Sequence, residues 1–296
     1  MIVVTAPAGD IGHQVMARLL EAGAPVRVIA RDPSKLSEDV CTRVEVVQGS
    51  HGDAKVVDHA FAGADALFWL VAADPQAASV EAAFVDFTRP AAAALKTRGV
   101  KRIVVISGLG RGTPFADKAG YITGSLAMED LIASTGVAMR TLTMPSFMDN
   151  IARRAKTIKE QGVFSSPISG DLKMPSCATR DIAAVATRWL LDESWNDQKD
   201  VAVLGPENIS LNEMAAIMSD VLGRPVRFEQ VAFEAYKARF VRYGFSEAMA
   251  QGMTDMMYAK SHGLDLGVQR TPENTTPTSF RQWCEDILKP AALSHR

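Results

Sequence analysis

The residues best suited to chemistry begin with two glycines near the start of the chain. Gly9 and Gly12 stand in a Gly/Pro turn directly after the β-branched run at residues 2–4, and apolar residues then recur at three- and four-residue steps. This order predicts a strand, a tight turn and a helix whose first amides face an anion. We therefore expect a pyrophosphate-binding turn. An ordinary strand–helix turn without a ligand is the alternative, because the full Gly-x-Gly-x-x-Gly pattern is absent and Ala6 stands where a first glycine is often found.

A cation follows the second predicted strand. Arg31 comes directly after the run at residues 26–30, about 20 residues past the glycine turn, where dinucleotide-binding units place the residue that reads the ribose. An acidic residue there accepts from the 2′-hydroxyl of NAD, whereas a guanidinium complements the 2′-phosphate of NADP. Arg31 and the nearby Lys35 predict a preference for NADP(H) over NAD(H), with Asp32 as a turn former before Pro33. A solvated charged turn is the alternative.

Further cofactor contacts are expected where later strands end, because open α/β sheets bind ligands at the carboxyl ends of their strands. The runs at residues 66–71, 102–107 and 138–144 supply such ends. The complete predicted cofactor set is Thr5, Ala8, Gly9, Asp10, Ile11, Arg31, Lys35, Leu70, Val71, Ser107, Pro145 and Phe147. His51 follows the third strand, and we expect it to be an exposed loop residue rather than a catalyst.

Composition restricts the class of protein. The chain has 296 residues, of which 47% are hydrophobic and 22% charged, as is typical of a globular protein with a sizeable core. The formal net charge of −2 gives no bulk electrostatic reason to bind nucleic acid. Three widely separated cysteines predict neither a disulfide framework nor a metal site. The sequence shows no signal peptide and no apolar run of membrane-spanning length, so we expect a cytoplasmic protein.

Strand and helix patterns alternate six times along the first half of the chain, which predicts a doubly wound parallel sheet. A long helix over 77–98 is expected to kink or split before Pro90. From Ser146 onward this alternation ends. The predicted fold is α/β, with a Rossmann domain at residues 1–148 and 178–204 and a smaller C-terminal α/β domain at residues 149–177 and 205–296.

Several short motifs along the chain are together similar to those of a known family. They comprise residues 5–12, Arg31, residues 100–104, Glu129 with residues 134–136, and residues 145–150, 205–207 and 276–280. On these motifs the chain resembles, over essentially its whole length, the NmrA-like branch of the atypical short-chain dehydrogenase/reductases. That family includes NADPH-dependent quinone reductases, triphenylmethane-dye reductases and NAD(P)-sensing regulators. The resemblance implies a Rossmann domain and a smaller C-terminal domain that covers the nicotinamide.

One departure from the family bears on catalysis. Short-chain reductases use a Tyr-x-x-x-Lys pair, in which the lysine lowers the pKa of the phenol from about 10. Tyr121 keeps the tyrosine, but Ser125 stands where the lysine would be, and we do not expect Lys118 to replace it. Pro7 also removes one amide donor from the glycine turn. Tyr121 is therefore predicted to be a poor base that still donates a hydrogen bond to a substrate oxygen.

These features predict an NADPH-dependent reductase that delivers hydride to a conjugated acceptor, such as a quinone or a related aromatic compound, whose proton comes from solvent. The predicted substrate contacts are Trp69, Phe115, Tyr121, Phe147 and Met148. A place in the core is the alternative for Trp69. The methionines at positions 249, 253, 256 and 257 are interpreted as core residues, with an adaptable wall over a ligand as the alternative. The alternative function is a non-catalytic NADP(H)-binding redox sensor with a protein partner, and a homodimer is left open. No binding to a membrane, and none directly to nucleic acid, is expected.

Overall fold

The computed structural model describes residues 1–293 and contains two compact units. The first comprises Met1–Gly108, Gly124–Thr143 and Ile182–Val201, and the second comprises Leu109–Thr123, Met144–Asp181 and the chain from Ala202 onward. Residues 294–296 of the predicted C-terminal domain lie outside the described residues. This division differs from the predicted boundaries mainly at residues 109–123, which belong to the second unit rather than to the Rossmann domain.

The elements are numbered along the chain. The strands are β1 (Ile2–Thr5), β2 (Val26–Ala30), β3 (Glu45–Gln48), β4 (Ala66–Trp69), β5 (Arg102–Gly108), β6 (Ala138–Met144), β7 (Ser146–Phe147), β8 (Val163–Ser166), β9 (Met174–Cys177), β10 (Gln198–Ala202), β11 (Asn208–Ile209) and β12 (Arg227–Gln230). The helices are α1 (Gly12–Glu21), α2 (Glu38–Arg43), α3 (Ala54–Phe61), α4 (Phe87–Arg98), α5 (Tyr121–Ala133), α6 (Asp149–Ala152), α7 (Ala155–Gln161), α8 (Thr179–Leu191), α9 (Leu211–Leu222), α10 (Phe233–Arg242), α11 (Glu247–Ser261), α12 (Phe280–Trp283) and α13 (Lys289–Leu293).

The first unit is built on a seven-stranded sheet with the order β10-β6-β5-β4-β1-β2-β3. The pairings of β1 with β2 and β4, of β2 with β3 and of β4 with β5 are all parallel. Strands β1 and β4 are buried along their whole length, as is typical of central strands covered by helices on both faces. The order reverses direction at β1 and β4, so the predicted Rossmann-type α/β fold is confirmed.

The helix before β5 differs from its prediction at Pro90. Helix α4 continues through Pro90 without a break. The irregularity lies earlier, where Ala82–Asp86 form a π-helical segment that leads into α4. A wider turn directly before a proline relieves the clash between its ring and the carbonyl group four residues earlier. The predicted split before Pro90 is therefore wrong, and the strain is accommodated one turn upstream.

The second unit combines short strands with helices. Its strands form a three-stranded sheet in the order β11-β9-β7 and a parallel pair of β12 with β8. A capping box formed by Ser210 and Glu213 begins α9. The core of this unit is centred on the fully buried Phe280 and Trp283, whose rings stack 5.6 Å apart. This unit therefore has its own apolar core.

Candidate functional site

The glycine turn between β1 and α1 depends on a close backbone approach. Ala6 has a left-handed backbone with φ 50°, and its carbonyl oxygen accepts a hydrogen bond of 3.0 Å from the amide of Gly9. A Cβ atom at position 12 would lie 2.1 Å from the same oxygen, so this position requires glycine. Ile11, the residue before α1, supplies no capping side chain. The turn therefore presents backbone N–H groups at the positive end of a helix dipole.

Strand β2 ends beside this turn, because Thr5 of β1 is in register with Ile29 of β2. Arg31, two residues later, is exposed, and among residues 1–293 no side chain forms a hydrogen bond or ion pair with its guanidinium. Asp32 is a turn former, as predicted: its carboxylate accepts from the amide and the hydroxyl of Ser34 at 3.2 and 2.6 Å. These bonds hold the pKa of Asp32 below its usual value. The exposed cation at this edge is thus available for a ligand, whereas the neighbouring carboxylate already has partners.

The predicted contact residues in the first unit differ in exposure. Ala8, Gly9 and Asp10 are exposed on the turn, as is Lys35 beyond β2. The side chains of Thr5 and Ile11 are buried and belong to the core. Thr5 has a supporting role, since its hydroxyl accepts from the amide of Leu70 at 2.9 Å and donates to the carbonyl oxygen of Phe68 at 3.0 Å. It fixes the end of β4, where Leu70 and Val71 are half-buried.

His51 fixes the same strand end from its other side. Its Nε2 atom donates to the carbonyl oxygen of Leu70 at 3.1 Å, and its ring packs edge-on against Trp69 and Phe87. Burial lowers the pKa of His51 to about 4, and the positive charge of Arg31 lowers it further. The prediction that His51 is an exposed loop residue is therefore wrong, because only 8% of its surface is exposed. Neutral His51 is part of the scaffold under the predicted cofactor edge.

Two buried hydroxyl groups meet where the family's lysine would be. The Oγ atoms of Ser107, at the end of β5, and of Ser125, on α5, lie 2.7 Å apart, and both side chains are buried. A hydrogen bond between two neutral hydroxyls carries no charge. Ser125 therefore cannot lower the pKa of a phenol as a lysine would.

Tyr121 lies in the second unit, at the first position of α5. Burial, with a smaller contribution from the charge of Tyr236, raises the pKa of its phenol to about 12. Gly120, directly before it, has φ 52°, and a Cβ atom there would lie 1.9 Å from the carbonyl oxygen of Gly252 on α11. This close contact fixes the segment that carries Tyr121. Near neutral pH the phenol is protonated, and it acts as a hydrogen-bond donor.

The other predicted substrate contacts fall into two groups. Phe115 and Phe147 are half-buried in the second unit, where Phe115 packs on His262 at 5.6 Å between ring centroids. Trp69 and Met148 are instead buried in the cores of the first and second units, with 0% and 2% exposed. The prediction that these two side chains line the substrate is therefore corrected: both pack internally. Pro145 is also buried.

The methionines of α11 differ in their exposure to solvent. Met249 is fully buried, which agrees with the core interpretation. The methionines at positions 253, 256 and 257 are half-buried.

The first unit fits a dinucleotide by its own geometry. It combines a turn that excludes a Cβ atom, an uncapped helix start and an exposed arginine at the adjacent strand end. Within residues 1–293, no three His, Cys, Asp or Glu side chains are grouped so that they could hold a metal ion. None of the helices in that part of the chain combines the length and apolar character required to cross a bilayer.

Comparison with known proteins agrees with this geometry. Residues 8–193 match the model of a family described as NAD(P)H-binding. A (4-alkanoyl-5-oxo-2,5-dihydrofuran-3-yl)methyl phosphate reductase of Streptomyces griseus is 33% identical over 287 residues, covering 96% of each chain. An NAD(P)H azoreductase of Xenophilus azovorans is 28% identical over 292 residues, covering 99% of this chain and 98% of the relative.

Among solved structures, an NADPH-dependent quinone oxidoreductase of Escherichia coli in complex with NADPH shares the fold, with a TM-score of 0.78 at 22% identity. The match covers 95% of this chain and 98% of that one. The chain belongs to the NAD(P)H-binding family that these findings define, within the NmrA-like atypical short-chain reductases that its motifs resemble, and it is an NAD(P)H-dependent oxidoreductase.

Proposed function

We propose that this protein uses NADPH to reduce a conjugated electrophile, such as a quinone, an azo compound or an unsaturated carbonyl compound. Its relatives support this class, since they include a quinone oxidoreductase, an azoreductase and a reductase of an oxo-dihydrofuran phosphate. In each of these compounds the reducible bond is part of a conjugated or doubly bonded system. Such an acceptor takes up hydride without a strong base on the protein.

The observation that carries the proposal is the state of Tyr121. A phenol with a pKa near 12 is protonated at every physiological pH, so it does not remove a proton from an alcohol. Ser125 and Ser107 add no positive charge that would change this. Alcohol oxidation of the usual short-chain type needs such a base. Reduction of a conjugated acceptor needs no base on the protein, and a protonated phenol is compatible with it as a hydrogen-bond donor that assists without being required.

Each residue of the first unit has a defined role in this proposal. The amides at the start of α1 bind the pyrophosphate, and Arg31, with Lys35, binds the 2′-phosphate. Thr5 and His51 hold the Leu70 backbone in place under the cofactor. When bound, the nicotinamide supplies a hydride. The hydride brings two electrons to the acceptor, and the second hydrogen of the reduced product arrives as a proton from solvent.

The test is the oxidation of NADPH, followed at 340 nm, after addition of 1,4-naphthoquinone, menadione or a simple azo dye. We expect turnover with at least one neutral quinone and slower turnover with NADH. A reaction without acceptor controls for oxidation by oxygen. Equal, tight binding of NADP⁺ and NADPH with no turnover on any acceptor would instead indicate the redox-sensor alternative and would contradict the proposal.

A further inference from the structure

Two arginines in the second unit converge on one serine. Arg154, directly before α7, donates from Nη1 to the carbonyl oxygen of Ser165 on β8. Arg239, on α10, donates from Nη1 to the hydroxyl of the same serine at 3.3 Å. Both side chains are partly buried. The contacts with Ser165 therefore place two positive charges close together.

Neither arginine has an acidic partner within residues 1–293. The carboxylates on the neighbouring helices pair with lysines instead, Glu160 with Lys156 at 3.9 Å and Glu247 with Lys237 at 3.0 Å. Burial lowers the pKa of Arg154, and the charge of Arg239 lowers it further. The Nη2 atom of Arg239 is buried without a hydrogen-bond partner. Two partly buried like charges and a buried donor without a partner are costly, so this arrangement favours an anion as the partner of the two arginines.

Aromatic rings hold the guanidinium of Arg239 in a fixed orientation. Its central carbon lies 4.9 Å from the ring centroid of Tyr236 and 5.7 Å from that of Phe240, within cation–π distance. These two rings contact each other edge-to-face at 5.0 Å, and Phe240 packs in turn on Phe245 at 4.9 Å. A guanidinium fixed in this way is preorganised for two parallel hydrogen bonds to a phosphate or carboxylate group.

The arginine pair and the proposed active-site phenol belong to the same unit and are related through Tyr236. Tyr236 lies under the guanidinium of Arg239, and its charge also contributes to the raised pKa of Tyr121. Tyr236 is therefore within electrostatic range of both groups.

We propose that Arg154 and Arg239 bind the phosphate of a substrate that carries a phosphate monoester, and so orient its reducible part toward Tyr121. Two guanidinium charges match a phosphate monoester, which carries a charge of about −1.5 to −2 at pH 7, better than they match a carboxylate. The proposal rests on the proposed reductase function and adds to it the chemical class of the substrate. It concerns a site separate from the cofactor phosphates, which are assigned to the first unit.

The test is a calorimetric titration of the protein with 1-naphthyl phosphate, with 1-naphthol and 1-naphthoate as matched probes. We expect the phosphate to bind at least tenfold more tightly than either of the other two. Arg239→Met and Arg154→Met should each weaken it by about tenfold or more, as expected for the loss of a charge-assisted hydrogen bond. Arg242→Met, which removes an exposed arginine from the same helix, should leave it unchanged.

Two outcomes would overturn this inference. In the first, the wild-type protein binds 1-naphthol or 1-naphthoate as tightly as 1-naphthyl phosphate, a result that does not depend on the folding of any variant. In the second, Arg31→Ala weakens 1-naphthyl phosphate while Arg239→Met does not, which would assign the phosphate to the cofactor edge. The titration needs no turnover. A protein that reduces no quinone but binds the probe through Arg239 would therefore refute the proposed function and retain the anion site.

Discussion

The two units prepare their charged groups for ligands in different ways. In the first unit the proposed anion-binding groups are backbone amides in a turn set by Gly12, with one exposed arginine that follows the adjacent strand. In the second unit the proposed groups are the side chains of Arg154 and Arg239, which both contact Ser165, and Arg239 also stacks on aromatic rings. The first arrangement is local in sequence. The second exists only after α10, β8 and the chain before α7 have packed together, so sequence spacing does not reveal it.

The largest effect is expected when a methyl group is added at Gly12, which tests whether the backbone turn binds the pyrophosphate. The Cβ atom of Gly12→Ala would meet the carbonyl oxygen of Ala6 at 2.1 Å, so the turn has to move. We expect NADPH affinity to fall by about 100-fold or more, since the proposed pyrophosphate contacts depend on this backbone. Fluorescence titration with NADPH measures the loss.

Gly23→Ala is the matched control for that variant. Gly23 also lies in the first unit and has φ 72°, but a Cβ atom there meets nothing within 4 Å. It should lower the free energy of unfolding by about 1 kcal/mol through backbone strain and leave NADPH affinity unchanged. A Gly12→Ala protein that binds NADPH like the wild type would refute the turn as the phosphate site.

The buried His51 in the first unit should make the stability of the protein depend on pH. His51 has a folded pKa of about 4 and a usual value of 6.5, so as the pH falls the unfolded chain binds a proton first. The stability contributed by neutral His51 is present above pH 6.5 and is lost between pH 6.5 and pH 4, by about 3 kcal/mol in all. Urea unfolding at a series of pH values measures this loss.

The variant that tests this role is His51→Gln. It should be less stable than the wild-type protein at pH 7, but it should lose less stability than the wild type between pH 6.5 and pH 4. His13→Gln, at an exposed position on α1, should retain the full wild-type slope. Identical slopes for the His51 variant and the wild-type protein would show that another group titrates in this range.

The preference for NADPH over NADH tests the proposed role of Arg31 as an anchor for the 2′-phosphate. Arg31→Ala should raise the dissociation constant of NADPH by about tenfold to 100-fold, because it removes a charge-assisted contact with the 2′-phosphate. The dissociation constant of NADH should change by no more than about threefold. Lys35→Ala should follow the same pattern with a smaller change. Equal losses for both nucleotides in Arg31→Ala would show that the arginine acts on the fold instead.

The same contrast explains how much the sequence revealed. The β1 strand, the glycine turn and Arg31 were found because periodicity and short spacing act within about 30 residues, and tertiary packing does not override them there. Residues 109–123 fall in the second unit rather than with the first, and there Gly120 lies close to Gly252, a contact far along the chain that local spacing does not indicate. His51 was misjudged for a related reason: its burial depends on Trp69 and Phe87, which a loop composition does not indicate.

Short elements with unusual composition were also beyond sequence reasoning. Strands β8 and β9 lie in or next to a stretch rich in Ser, Pro and Gly, and Pro175 pairs within a sheet despite its missing amide. Trp69 and Met148 could be recognised as apolar, but apolar character does not distinguish a core side chain from one that lines a ligand. The arginine pair shows the same limit for charge, since only the packed unit reveals that neither guanidinium has a carboxylate partner among the described residues.

The central claim is reduction by hydride transfer without a base on the protein, and the smallest expected effect tests it most directly. The measurement is the rate of NADPH oxidation by a neutral quinone, for the wild-type protein and Tyr121→Phe, between pH 6 and pH 9. A phenol with a pKa near 12 does not titrate in this range, so both rates should be free of any tyrosine-dependent step in pH and should differ by no more than about threefold. A wild-type pH step that the variant lacks would show that Tyr121 transfers a proton and would contradict the claim.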